Sequence, residues 1–189
     1  MKRTEENANK AFADHVLTVR LDTEGPFRAY RCQKPDSWTY GFDVTFTPGW
    51  VTIAGDIGFL ALSRCADMLP WLRGTVARDG CIDFRYVAEK APHCIVTREW
   101  TNAAAHAMVD RVLAAEEEGV AHDKRMDLHY FSDQTTWQET IVPALSKMCQ
   151  EWYEYGDAKD WTTEFLYCVF GLRWCVRAID CAKRQEVEV

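Results

Sequence analysis

Three local signatures of common enzymes are missing from this chain of 189 residues: Gly-x-Gly-x-x-Gly, a phosphate loop ending in Gly-Lys-Ser/Thr, and Gly-x-Ser-x-Gly. Each is the means by which backbone amides cradle a phosphate or a strained turn presents a nucleophile, so the common nucleotide enzymes are not expected. No two of the eight cysteines stand in Cys-x-x-Cys spacing, which leaves a zinc or dithiol site without its usual motif. Residues 1–14 are charged and lack the apolar centre of a secretory leader, so the expected setting is the cytoplasm, where thiols stay reduced. The cysteines are therefore read as free thiols packing as small hydrophobes, with Cys168, Cys175 and Cys181 on one helix. The longest apolar stretch, 165–182, is broken by Arg173, Arg177 and Asp180, charges too costly to place in hydrocarbon. It reads as a buried helix, and no membrane contact is expected.

A positive surplus is also absent. The net charge is −7, and residues 99–160 hold five Lys/Arg against 13 Asp/Glu while the flanking parts are near balance. Nucleic-acid binding needs cations that displace counterions, so direct contact with DNA or RNA is not expected. The acidic middle suits a partner with a basic surface, including by imitation of nucleic acid, or simply keeps the protein soluble.

What is present is period-two alternation. Tyr40, Phe42, Val44 and Phe46 alternate with polar or small residues, Pro48-Gly49 supplies a turn, and Val51 and Ile53 follow in a second run. Gly55-Asp56-Ile57-Gly58 is a second tight turn, leading to a run with Leu60 and Leu62 in phase. Residues 15–21 and 27–32 add two earlier strands, for an antiparallel meander of about five. A short helix over 66–73 follows, capped by Ser63 or Asp67. Another short helix is expected over 84–90, and longer ones over 100–118 behind a Thr101 cap, over 137–155, and over 160–184. Pro143 should start or kink the second of these. In the last, Phe165, Val169, Leu172, Val176 and Ile179 form one face. The expected fold is one α+β domain, with a sheet and short helix over 15–73 and a helical layer of three longer helices over 99–184. Residues 1–13 read as frayed or as one short helix on which little depends.

The string GWVTIAGDIGFLALSRCADMLPWLR resembles a segment of a family of uncharacterised phage and prophage proteins. That family has a Trp-Pro-Gly-type turn, a Gly-Asp-Met-Gly and a Phe-Ser-Arg leading to an Asp-Met-Phe helix. Gly49, Gly55, Asp56, Gly58, Ser63, Arg64, Asp67 and Met68 match, as more loosely do Tyr86-Val87-Ala88-Glu89-Lys90 and Phe165-Leu166-Tyr167-Cys168. Ile57, Leu69 and Trp71 depart conservatively, and the tryptophan of the turn is displaced to Trp50. The resemblance implies a mobile-element origin and no catalytic residues.

The candidate binding residues are Asp56, Arg64 and Asp67, beside a plainer reading in which Asp56 serves its turn and Arg64 clasps Asp67 at the helix entry. Glu116, Glu117 and Glu118 join them as acids at the wrong end of a helix for its dipole. His106-x-x-x-Asp110 followed by His122-Asp123 has the residue types of a metal-dependent phosphohydrolase, but no helix-borne aspartate beyond Asp127 completes the set. No metal or cofactor is expected. Eight tryptophans exceed what such a core requires, so some should lie in a binding surface. The expected function is that of a phage or prophage accessory protein binding a host protein, possible targets including a host defence system. The alternatives are a small enzyme or ligand-binding pocket protein and an oligomeric virion component.

Overall fold

The structure is a computed structural model that describes residues 2–93, 95–115, 128–129, 131–148 and 158–187. The fold is α+β, and two compact units divide the chain: Met1–Thr97 with Thr162–Val189, and Arg98–Trp161.

The first unit is built on an antiparallel sheet in the order β1 (Val16–Asp22), β2 (Arg28–Lys34), β3 (Ser37–Thr47), β4 (Trp50–Gly55) and β5 (Gly58–Ser63). Every neighbour in the sheet is the neighbour in sequence, which is the expected meander. Its register sets Val44 opposite Ile53 and Ile53 opposite Leu60, so directly paired residues share a face. That inner face carries Tyr30, Cys32, Phe42, Val44, Phe46, Val51, Ile53, Leu60 and Leu62, all buried.

Against this face lies the long helix, here α6 (Thr163–Val187), whose stripe Phe165, Val169, Leu172, Val176 and Ile179 is buried as expected. Each such side chain contributes about 1.5–3 kcal/mol on leaving water. Gly171 lets the helix approach closely: a Cβ there would stand 2.9 Å from the Cδ1 atoms of both Ile53 and Ile57. Helix α2 (Met68–Thr75) starts at Asp67, whose carboxylate accepts the Leu69 N–H at 3.1 Å. Asp83 caps α3 (Phe84–Ala88) in the same way through the Tyr86 N–H.

The amino-terminal segment corrects the expectation that little depends on it. Residues Lys2–Phe12 form α1, with Ala8 and Phe12 fully buried. Phe12 meets the Phe42 ring edge-on at 5.5 Å, and Glu5 pairs with Arg173 of α6. A polar average concealed two apolar residues four apart, which is all that a helix needs to dock one stripe. Arg173 is buried too: it donates to the carbonyls of Val76 at 2.8 Å and Gly80 at 3.0 Å, pinning the loop after α2.

The thiols divide. Cys32, Cys168 and Cys175 are buried and free, while Cys65, Cys81 and Cys181 are free and exposed, so these last three do not pack as expected. Burial and then the Glu164 charge push the Cys168 thiol up to about 12. A hydrogen bond with Cys175, then burial, raises the Cys32 thiol as well, so these thiols stay protonated.

The second unit gathers around Met108, Val109 and Val112 of α4 (Asn102–Ala115), with Leu128, Phe131, Trp137, Ile141 and Leu145. Thr101 caps α4 as expected, its hydroxyl accepting the Ala104 N–H at 3.1 Å. Before α5 (Val142–Met148) the backbone makes a π turn over Trp137–Ile141. Pro143 supplies no N–H to the preceding turn, so the ladder is respaced there rather than continued. Two three-residue strands, β6 (Arg98–Trp100) and β7 (Lys159–Trp161), pair antiparallel and are too short for any periodicity to betray. Among the described residues no helix is long and apolar enough to cross a membrane.

Candidate interaction surface

The polar turn between β4 and β5 holds backbone. Asp56 accepts the Tyr40 N–H through Oδ2 at 2.7 Å and donates its own N–H to the Gly41 carbonyl at 2.9 Å. Tyr40 needs such support, because its φ of 59° is a left-handed conformation costly for a bulky residue. His15 adds to it, with Nε2 3.0 Å from the Tyr40 carbonyl oxygen, and the Tyr40 ring stacks on Tyr167. Gly55 is required for the same closeness: a Cβ there would lie 2.2 Å from the Gly41 oxygen. From α6, the Glu164 carboxylate accepts the Phe59 N–H at 2.9 Å.

Arg64 and Asp67 stand at the other end of β5 and have separate partners. Arg28, itself buried, grips Asp67 with two nitrogens at 2.8 and 3.0 Å, and this pairing holds the Asp67 carboxyl below its ordinary range. The Trp71 indole N–H donates to the Tyr86 hydroxyl at 3.4 Å, and Trp71 first and the neighbouring Arg64 second draw that phenol downward. The proposed Arg64–Asp67 clasp is thus replaced by an Arg28–Asp67 clasp across the sheet end. Asp56 lies before β5 and the other two after it, so the three do not converge. Glu116, Glu117 and Glu118 lie outside the described residues.

The surface the sequence did not single out is the outer face of the sheet. Its ladder sets Arg31 opposite Asp43, Asp43 opposite Ala54 and Ala54 opposite Phe59, flanked by a row through Ala29, Thr45 and Thr52. Around these small and neutral positions stand large apolar side chains in water: Phe59 at 51% exposure, Phe27 at 49%, Leu21 at 48%, Trp38 and Trp50 at 43%. The one charged pair at the centre neutralises itself, Arg31 donating to both Asp43 oxygens at 2.8 Å. The Arg31 guanidinium also lies over the Trp38 ring, 5.2 Å from its centroid. Ser37 pairs with Lys34 while Phe42 pairs with Cys32, so residues 38–41 bulge out of the ladder, with Trp38 beside Arg31 on the outer face and the Tyr40 ring against Tyr167 of α6. The signal was in the sequence as Trp50 and Phe59, the large members of the alternation opposite Val51, Ile53, Leu60 and Leu62. Alternation alone does not say that nothing covers them.

In the second unit His106 and Asp110 do share a helix face, and His129, which sequence reasoning missed, joins them. Its Nε2 lies 2.9 Å from an Asp110 oxygen and its ring stacks on His106 at 5.7 Å. Phe131 also stacks on His106, 4.2 Å between centroids. His122-Asp123 lies outside the described residues, and among those described no group of three or more His, Cys, Asp or Glu is placed to hold a metal. No family model, curated protein or solved structure matches this chain. The functional reading therefore rests on these surfaces themselves.

Proposed function

We propose that this protein is a phage- or prophage-encoded accessory protein that acts by binding a host protein, a component of a host defence system being the intended class of target. The contact surface in this reading is the outer face of the five-stranded sheet. The observation that carries it is that Trp38, Trp50, Phe27, Phe59 and Leu21 stand exposed together, although the inner face of the same sheet already supplies the core. Large apolar side chains exposed on one sheet face mark interaction surfaces, and tryptophan is enriched at the energetic centres of interfaces. The mobile-element origin comes from the family resemblance alone.

A protein partner suits the face better than nucleic acid does, because Arg31 is cancelled by Asp43 and the chain carries net negative charge. The pinned backbone at Tyr40 favours it too, since anchors held in place before docking lose less entropy on binding. The acid-rich stretch 99–160 adds a preference for a partner with basic character, so retention should weaken as salt rises.

The test is retention of a host protein on immobilised wild type compared with Trp50→Glu and Phe59→Glu. One retained species that both substitutions release, while Arg85→Ala on α3 keeps it, supports the reading. Retention indifferent to the two substitutions overturns it. So does a purified protein that sediments as a dimer and becomes a monomer on Trp50→Glu, which would assign the face to a second copy.

A further inference from the structure

A second surface of the first unit has the opposite character. Between the loop after α2 and the carboxyl-terminal half of α6 opens a cleft of about 360 Å³, with Arg73, Arg78, Arg177 and Arg184 in its wall beside Asp79 and Asp180. Four arginines against two aspartates leave a local positive excess in a chain whose net charge is −7. Such a concentration is not what solubility alone would select.

The four guanidiniums are not equivalent. Arg73 is committed, its Nε 2.9 Å from Asp180 and its Nη2 bound to the same carboxylate. Arg177 is loosely held, 3.4 Å from the Ala77 carbonyl and 3.5 Å from Asp79, whose side chain is fully solvated. Arg78 and Arg184 are exposed and form no ion pair among the described residues. Three forks therefore face one cleft with hydrogen-bonding capacity to spare. The cleft is also held open by design of the fold: buried Arg173, one turn before Arg177, binds the carbonyls of Val76 and Gly80 and so fixes the loop that carries Arg78 and Asp79.

We infer that this cleft is a binding site for a phosphoryl group. Guanidinium forks match the oxygens of a phosphate in pairs, which a lysine cluster or a lone helix end does not. The wall offers Ala77 and Cys181 but no aromatic ring, so it recognises the phosphoryl moiety and provides no platform for a base. The ligand class is a compact polyanion such as a diphosphate, free or carried on a small molecule. This site is separate from the outer sheet face, and neither requires the other.

The test is calorimetric titration of the full chain with pyrophosphate, with ATP and inorganic triphosphate as further arms and sulfate as a control. Saturable 1:1 binding of pyrophosphate is expected, weakened about tenfold or more by Arg78→Ala and again by Arg184→Ala, with Arg85→Ala unchanged. Binding of ATP no tighter than that of pyrophosphate supports recognition of the phosphoryl groups alone, and binding of ATP tighter than that of inorganic triphosphate overturns the statement that the base has no platform. No saturable heat, equal binding of sulfate, or indifference to both substitutions overturns the inference. A second readout does not depend on any variant folding: Cys181 lines the cleft and is exposed, as is Cys65 elsewhere. Pyrophosphate should slow alkylation of Cys181 several-fold and leave Cys65 alone; equal rates at both count against the site.

Discussion

The two faces of the sheet are made from the same strands by the same alternation, yet they have opposite fates. Ile53 and Leu60 on the inner face are sealed under α6, while Trp50 and Phe59, each one position or a few away on the same strands, stand in water. Folding uses one face completely and leaves aromatic surface on the other. The functional proposal rests on that second face.

The comparison breaks most visibly under truncation. Phe42→Ala on the inner face should cost about 3–5 kcal/mol, from lost transfer energy and a cavity beneath α6, read as a fall in the denaturant midpoint. Arg28→Ala should cost about 2 kcal/mol by removing two charge-assisted hydrogen bonds to Asp67, a figure kept low because that carboxylate is partly solvated. On the outer face Trp50→Ala and Phe59→Ala should each change stability by less than about 1 kcal/mol while abolishing partner retention. Equal losses on both faces would mean that the outer one is also structural.

Acidification sharpens the same contrast, since the groups that titrate sit beside the inner layer. Burial lowers the His15 imidazole from 6.5, outweighing the Tyr40 carbonyl that raises it. The folded protein thus resists a proton that the unfolded chain accepts, and stability that is complete above about pH 6.5 falls as pH drops toward the folded value. Asp67 adds a second step: pairing with Arg28 holds it below 3.8, so its contribution is present above that pH and is lost as pH falls through the lowered value. Thermal melts from pH 8 to 3 should show both steps. His15→Gln should remove the first and Arg28→Ala the second.

Much of the architecture was legible because it is local. Alternation through Phe42, Val44 and Phe46, the Pro48-Gly49 turn and the stripe from Phe165 to Ile179 each announce an element within a few residues. What stayed hidden depends on distant partners. Asp56 read either as an exposed turn-tip acid or as serving its own turn, but its carboxylate holds the amide of Tyr40, sixteen residues away. Asp67 was matched to its neighbour Arg64 and found Arg28, thirty-nine residues back. His129 gave no motif with Asp110, and Phe12 looked expendable until Phe42 packed on it.

The sequence by itself determined the five strands of the meander and the buried stripe of α6, because backbone period and turn chemistry are written into consecutive side chains. Only the tertiary structure decided which face of the sheet α6 covers, which of the α6 arginines is swallowed as a staple and which are left lining a cleft. Those outcomes follow from packing between segments a hundred residues apart, where a side chain's role is set by what arrives opposite it.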